Sequence, residues 1–256
     1  MNYTKSENME IIEQTMRTLK LGGLAKEWRS VTYNNNEQYM RDLLDIEVRE
    51  REANRMSRMI KQAGFRVIKT LDNFVWKQAV EVPSTITREE IETASFIKAK
   101  ENLVLMGAVG TGKTHLATAI ALNLCKQGRH VRFYTATGLA NTLLEKQQRG
   151  MLTSFLMSLR KVELLVLDEI GFITLHKEAS ELLFQVVSDC YEQKSLIFTS
   201  NLEFAQWNTV FGNSKLTAAM ISRLIHHSHI VIFSGSDHRL EDSMRRQKRE
   251  VPQNEA

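Results

Sequence analysis

The stretch Gly107-Ala108-Val109-Gly110-Thr111-Gly112-Lys113-Thr114 constrains this chain more than any other. It matches the pattern G-x-x-x-x-G-K-[ST], in which a glycine-rich turn closes its backbone N–H groups round phosphate oxygens. A chance glycine loop would satisfy the pattern without its context. Here the apolar run Leu103-Val104-Leu105-Met106 leads into the turn and reads as a buried strand. Leu116, Ala117, Ile120, Ala121 and Leu124 follow at helical spacing as far as Gly128. A helix starting there adds its partial positive charge to the amides. Lys113 can then reach the β- and γ-phosphates of a nucleotide, and the Thr114 hydroxyl can hold Mg²⁺.

A turn of this kind needs an α/β sheet around it, and the rest of the sequence supplies one. The strand-like runs 131–134, 164–167, 195–199 and 230–233 alternate with helical patterns over 139–148, 151–160, 179–191, 204–211 and 216–225. With the run before the loop, this predicts a mostly parallel five-stranded sheet. Residues 1 to about 80 read as helical instead. Ile11, Ile12, Met16, Leu19, Leu24 and Trp28 suggest an amphipathic hairpin broken at Gly22-Gly23. A longer helix over 37–63 carries the stripe Tyr39, Leu43, Ile46, Ala53, Met56, Ile60 and Ala63, interrupted by Glu50. The expected organisation is therefore a helical region over 1–80, an α/β domain over 81–243 entered through a linker at 81–87, and a basic flexible tail over 244–256.

Composition narrows the class. The chain has 256 residues, 43% hydrophobic and 25% charged, enough apolar material for a real core. No apolar run approaches the ~18 residues of a membrane span. The first residues are polar where a signal peptide would be apolar, so the expected location is cytoplasmic and away from membranes. Cys125 and Cys190 fit buried thiols and are too few for a zinc site without several histidines. The net charge of +4 hints weakly at a polyanionic partner. A local signal is sharper: residues 54–69 contain Arg55, Arg58, Lys61, Arg66 and Lys69 and no acid. That pattern fits either a solvated helix face or a phosphate-contacting surface.

Three further groups bear on chemistry. Leu164-Leu165-Val166-Leu167-Asp168-Glu169 describes a strand covered on both faces with two carboxylates at its C-terminal end. Ligands sit at that edge of an open α/β sheet. There Asp168 can hold Mg²⁺ and Glu169 can polarise a water against the γ-phosphate, unless the pair is a solvated acidic turn. Thr199-Ser200-Asn201 ends the next strand, so Asn201 can reach the γ-phosphate or the water, or else caps the following helix. Arg223, in Ser222-Arg223-Leu224, is either a finger acting on a neighbouring subunit's nucleotide or a surface arginine paired with a carboxylate.

In this order the motifs resemble the AAA+ ATPases. The strings Gly110-Thr111-Gly112-Lys113-Thr114-His115-Leu116-Ala117, Leu167-Asp168-Glu169-Ile170-Gly171, Thr199-Ser200-Asn201 and Arg223-Leu224 resemble, more closely, the IstB-type transposition helpers. These are siblings of the DnaC-type helicase loaders. The resemblance covers about residues 65 to 240 well and the helical region more loosely. It implies ATP and Mg²⁺ as cofactors, held by 107–115 with Thr114 and Asp168 on the metal. It implies Glu169, Asn201 as sensor-1 and Arg223 as finger for catalysis. The helices between 139 and 160 would engage DNA, with Lys146, Gln147 and Arg149 as phosphate contacts beside Arg55, Arg58 and Lys61. The implied partners are duplex DNA, further copies of the chain and a transposase of the IstA type. A replicative helicase as partner stays open, as do an architectural DNA-binding protein and a small-molecule kinase, although Glu169 argues against both of the latter. The sequence departs from the family where Ala108-Val109 replaces two prolines and where Ser222 replaces the commoner Asp. It leaves no room after Phe233 for a helical lid, and Arg239 is the arginine there that would stand in for a sensor-2 residue.

Overall fold

The computed structural model describes residues 5–76 and 79–235. The chain forms two compact units, Met1–Arg58 and Met59–Ala256. The first holds α1 (Lys5–Thr18), α2 (Gly22–Glu27) and most of α3 (Asn36–Ala63). The Gly22-Gly23 pair expected to break a hairpin begins α2 instead, because α2 lies hard against α3. A Cβ on Gly23 would meet the Glu50 Cβ at 2.7 Å. Glu47 of α3 accepts the Gly23 and Leu24 N–H groups at 2.9 and 3.2 Å, supplying the negative charge that a helix start favours. Burial pushes its carboxyl up, but bonds from Arg51, Leu24 and Gly23 outweigh this and hold it below the ordinary glutamate range. The predicted α3 stripe is buried at Ile46 and Ala63, while Ala53 and Met56 in mid-helix are exposed.

The second unit runs β1 (Val80–Glu81), α4 (Arg88–Thr93), β2 (Asn102–Gly107), α5 (Lys113–Lys126), β3 (Val131–Thr135), α6 (Ala136–Gln148), α7 (Leu152–Arg160), β4 (Leu164–Ile170), α8 (Lys177–Cys190), β5 (Ser195–Ser200), α9 (Asn208–Phe211), α10 (Ser214–His226) and β6 (Ser228–Phe233). The sheet order is β1-β6-β2-β5-β4-β3. All neighbours are parallel except β1 and β6, paired at Val80↔Phe233 and Glu81↔Ile232. The sheet thus has six strands rather than five. The extra one is two residues long at an edge, with no apolar run to announce it.

Alternation along the strands separates two cores. Val104, Met106, Leu165, Leu167, Leu196 and Phe198 face α6, α8, α9 and α10. Leu103, Leu105, Leu164, Val166, Ile197 and Val231 face α5, with Met59 and Ala63 from the end of α3 in the same cluster. A parallel sheet buried on both sides explains why its strands read as continuous apolar runs. α4 stops at Thr93, where Ala94 turns left-handed with φ 57° and a 3₁₀ turn follows over Ser95–Ala99. No helix among the described residues is long and apolar enough to cross a membrane. Arg239, the region where a lid would follow and the tail over 244–256 all fall outside the described residues.

Candidate nucleotide site

The glycine-rich turn sits between β2 and α5 at the C-terminal edge of the sheet. Gly107, Gly110 and Gly112 have φ of 145°, 78° and 105°, a region that side chains strain to enter. Gly107 also lies hard against β6, where a Cβ would stand 2.1 Å from the Phe233 carbonyl oxygen. Ala108 and Val109 are exposed at the crest of the turn. Lys113 is 8% exposed and its ammonium donates to the Gly107 and Ala108 carbonyls at 2.7 and 2.6 Å. Thr111 donates to the Ala108 carbonyl at 2.9 Å, so the turn is closed by its own side chains. His115 lies one residue past Thr114 and bonds through Nε2 to the Thr70 carbonyl at 3.0 Å, with its ring edge-on to Phe74 at 5.4 Å.

Asp168 and Glu169 follow each other in β4, and in a regular strand they would point to opposite faces. They do not, because β4 carries an extra residue against β5. Leu167 pairs with Phe198 and Ile170 with Ser200, three steps on one strand against two on the other. Leu167 and Ile170 accordingly bury in the same core despite their odd spacing. This bulge turns both carboxylates into one cleft. Glu169 has φ 61°, a conformation costly for any residue with a Cβ. Its N–H leaves the ladder and donates to the Thr199 hydroxyl at 2.9 Å. That hydroxyl donates in turn to Asp168 Oδ1 at 2.5 Å, and Thr114 donates to the same oxygen at 2.9 Å. Thr199 therefore holds both acids at once. It was legible only as part of Thr199-Ser200-Asn201, where the sequence directs attention to the amide.

The resulting cleft has a volume of ≈ 430 Å³ and is lined by Gly110, Gly112, Lys113, Thr114, His115, Asp168 and Glu169. Arg66 and Lys69 line it too, so part of the acid-free basic run faces this cleft. Arg66 comes within 4.0 Å of Glu169. Asp168 is 3% exposed, and no ion pair reaches it among the described residues. Its oxygen and the Thr114 hydroxyl form an all-oxygen donor pair, which suits a hard cation such as Mg²⁺.

The remaining candidates lie elsewhere. Asn201 is exposed just beyond β5, with its Oδ1 3.0 Å from where a Cβ on Gly171 would stand. It flanks the turn after Glu169 and does not line the cleft. Arg223, on α10, bonds to Ser188 and lies 5.0 Å over the Phe184 ring, both on α8. No carboxylate pairs with it among the described residues. Arg55 and Arg58 are exposed on α3 in the first unit, and Lys61 is exposed in the last turn of that helix. Lys146 is half-buried at the end of α6, and Arg149 pairs with Glu145 at 3.1 Å. Burial pushes the thiols of Cys125 and Cys190 up to about 11, as inert core cysteines require.

Comparison with known proteins agrees in extent. The family described as IstB-like ATP binding protein matches residues 14–249. Over 250 residues the chain is 33% identical to a protein named as an ATP-binding protein of insertion sequence IS5376 in Geobacillus stearothermophilus, covering 95% of this chain and 99% of that one. Over 208 residues it is 33% identical to the one named for insertion sequence IS21 in Pseudomonas aeruginosa, covering 81% and 78%. Among solved structures the DnaC helicase loader superposes with a TM-score of 0.52 at 23% identity, over 64% of this chain and 96% of that one. A DNA replication initiation factor gives a TM-score of 0.55 at 22% identity, over 70% of this chain and 54% of the other. At those identities the likeness is one of fold.

Proposed function

The chain belongs to the family of IstB-like ATP binding proteins, and on that premise we propose that it is an ATP-dependent helper of transposition: it assembles on duplex DNA, hydrolyses ATP and delivers the DNA to a partner transposase. The observation that carries the hydrolytic part is the bulge in β4. It places a Mg²⁺-suited aspartate and a water-suited glutamate in one cleft with the phosphate-binding turn. A protein that held nucleotide only as a structural ligand would have no use for that second acid.

The roles follow from the positions. Amides of the turn and the Lys113 ammonium bind phosphate oxygens, which are stronger acceptors than the carbonyls Lys113 meets in this structure. Thr114 and Asp168 would hold Mg²⁺, which when bound neutralises charge on the β- and γ-oxygens. Glu169 orients the water and takes up its proton as the water attacks the γ-phosphorus and the β–γ bridging bond breaks. Asn201 stands beside the turn that carries Glu169, a position that supports its role in reading the γ-phosphate. Arg223 lies outside its own cleft, which supports a role at the neighbouring subunit's nucleotide. Duplex DNA would be held by its phosphates through Arg55, Arg58, Lys61, Lys146 and Arg149.

Subunit mixing tests the assembly and the chemistry together. Lys113→Ala subunits cannot use their own site but still carry Arg223, whereas Arg223→Ala subunits have a sound pocket and no finger to offer. Each alone should hydrolyse ATP ~10³-fold or more below wild type. Mixed on duplex DNA they should regain part of the activity. Normal hydrolysis by Arg223→Ala, or no recovery when the two demonstrably co-assemble, rules out a finger acting between subunits. Capture of proteins on the ATP-bound assembly then separates a transposase from a helicase as the partner.

A further inference from the structure

The nucleotide cleft lies at the C-terminal ends of the strands, and a second concavity opens at their N-terminal ends. Its walls come from the segments that lead into β2, β3, β4 and β5, over 93–100, 124–129, 160–163 and 193–194. Strands of this length put it about 20 Å from the nucleotide cleft, on the other edge of the sheet. Its volume is ≈ 670 Å³, too large for a single small anion to fill.

Its charge is one-sided. Lys98, Lys100, Arg129, Arg160, Lys161 and Lys194 line it, with Glu163 as the one acid among the described residues. The chain as a whole has 34 basic against 30 acidic residues, so this concentration is local and not a reflection of composition. Two of the cations are turned by partners at the rim: Arg129 pairs with Glu163, and Arg160 lies 3.7 Å from Asp189. Lys98, Lys100 and Lys161 are exposed and meet no carboxylate within 4.0 Å among the described residues. The left-handed turns at Ala94 and Lys100 bracket the segment that presents the first two. At the floor Lys194 is 8% exposed and donates to the Leu159 carbonyl at 2.5 Å. Burial, and repulsion from Arg160 after it, pull that ammonium below the usual lysine range, a penalty that a bound anion would relieve.

Among the described residues no aromatic side chain lines the cleft. A docked protein segment draws most of its binding from aromatic and apolar anchors at the centre of its interface. A phosphate backbone needs none and is held by charge alone. We propose that this basic cleft is a second phosphate-contacting surface, which grips duplex DNA at the sheet edge opposite the nucleotide. The proposal rests on the DNA-binding reading above and adds a contact surface that the helical candidates do not supply.

The test uses the full chain, ATP and a labelled duplex of arbitrary sequence. Lys98→Ala, Lys100→Ala and Lys161→Ala are combined in one variant; all three side chains are exposed, so its melting midpoint should match wild type. The slope of log K against log salt should fall in magnitude by about 0.9 for each phosphate that is no longer neutralised, or about 2.7 for all three. Arginine at the same three positions should restore it. Wild-type affinity and slope in the alanine variant overturn the proposal. So does unchanged DNA binding together with loss of affinity for a polyglutamate peptide, which would assign the cleft to an acidic protein. Failure of the wild-type chain to bind duplex at all would remove the functional reading, and this inference with it. Steep salt dependence shared by wild type and the alanine variant would remove this inference alone.

Discussion

Replacing Thr199 by valine isolates the device that aims both acids. The side chain is 1% exposed and valine matches its shape, so the strand loses only the hydroxyl. Two bonds go with it. The donation to buried Asp168 at 2.5 Å is a bond to a charged group, worth about 1.5–3 kcal/mol. The Glu169 N–H, which reached that hydroxyl at 2.9 Å, is left without its acceptor at a cost of about 1–3 kcal/mol. Because one atom serves both, the losses overlap, and roughly 3 kcal/mol is the expected total. For a unit of this size that lowers the melting midpoint by about 6–12 °C. Glu169, no longer tied at φ 61°, should relax away from the water, and a misplacement of about 1 Å costs roughly 10²-fold in rate. ATP affinity should change far less, since the turn and Lys113 are untouched. Thr199→Ser, which keeps the hydroxyl, should recover most of both losses. Calorimetric melting and a phosphate-release assay read the two effects. A valine variant that melts and hydrolyses like wild type would show that Thr199 does not hold the bulge.

Glu169→Gln keeps Asp168 and the shape of the cleft, so ATP should still bind while hydrolysis falls by about 10²–10⁴-fold; parental turnover would reduce Glu169 to an acid at a strand end. Gly107→Ala should destabilise the second unit by several kcal/mol, because its Cβ would stand 2.1 Å from a backbone oxygen of β6; urea unfolding with an unshifted midpoint would contradict that packing. Glu47 is held below the ordinary glutamate range, so its contribution is present above the unfolded value of about 4.3 and is lost as pH falls toward and through the folded one. Acid titration of helicity should therefore show an earlier loss in wild type than its neutral-pH stability suggests, and Glu47→Gln should flatten that dependence; superimposable acid titrations would refute the assignment.

Much of the site was legible because its chemistry is local. The turn from 107 to 114 carries its own glycines, lysine and hydroxyl in one run, and the strands beside it announce themselves by continuous apolar residues. The sixth strand was not legible, since two residues at an edge make no pattern. Nor was the register slip in β4, which depends on how many residues β5 offers opposite and not on either sequence alone. Thr199 was missed for the same reason, because its partners lie 30 or more residues away; Arg66 was legible as part of a basic run, but its approach to Glu169 was not. The α3 stripe shows the opposite error. Apart from Glu50 its spacing stays helical, yet Ala53 and Met56 are exposed, because periodicity reports a face and not what covers it.

The approach of Gly107 to Phe233 sets an order of events in the life of the chain. The turn leaves the ribosome together with β2 and the start of α5. The strand that fixes its first glycine is the last one described. At ~5–20 residues per second, β6 emerges many seconds after the turn it braces. During that interval a nascent chain can display every residue of the phosphate-binding motif and still lack the backbone wall that shapes it. Nucleotide would thus meet a fully braced turn only after synthesis has passed Phe233.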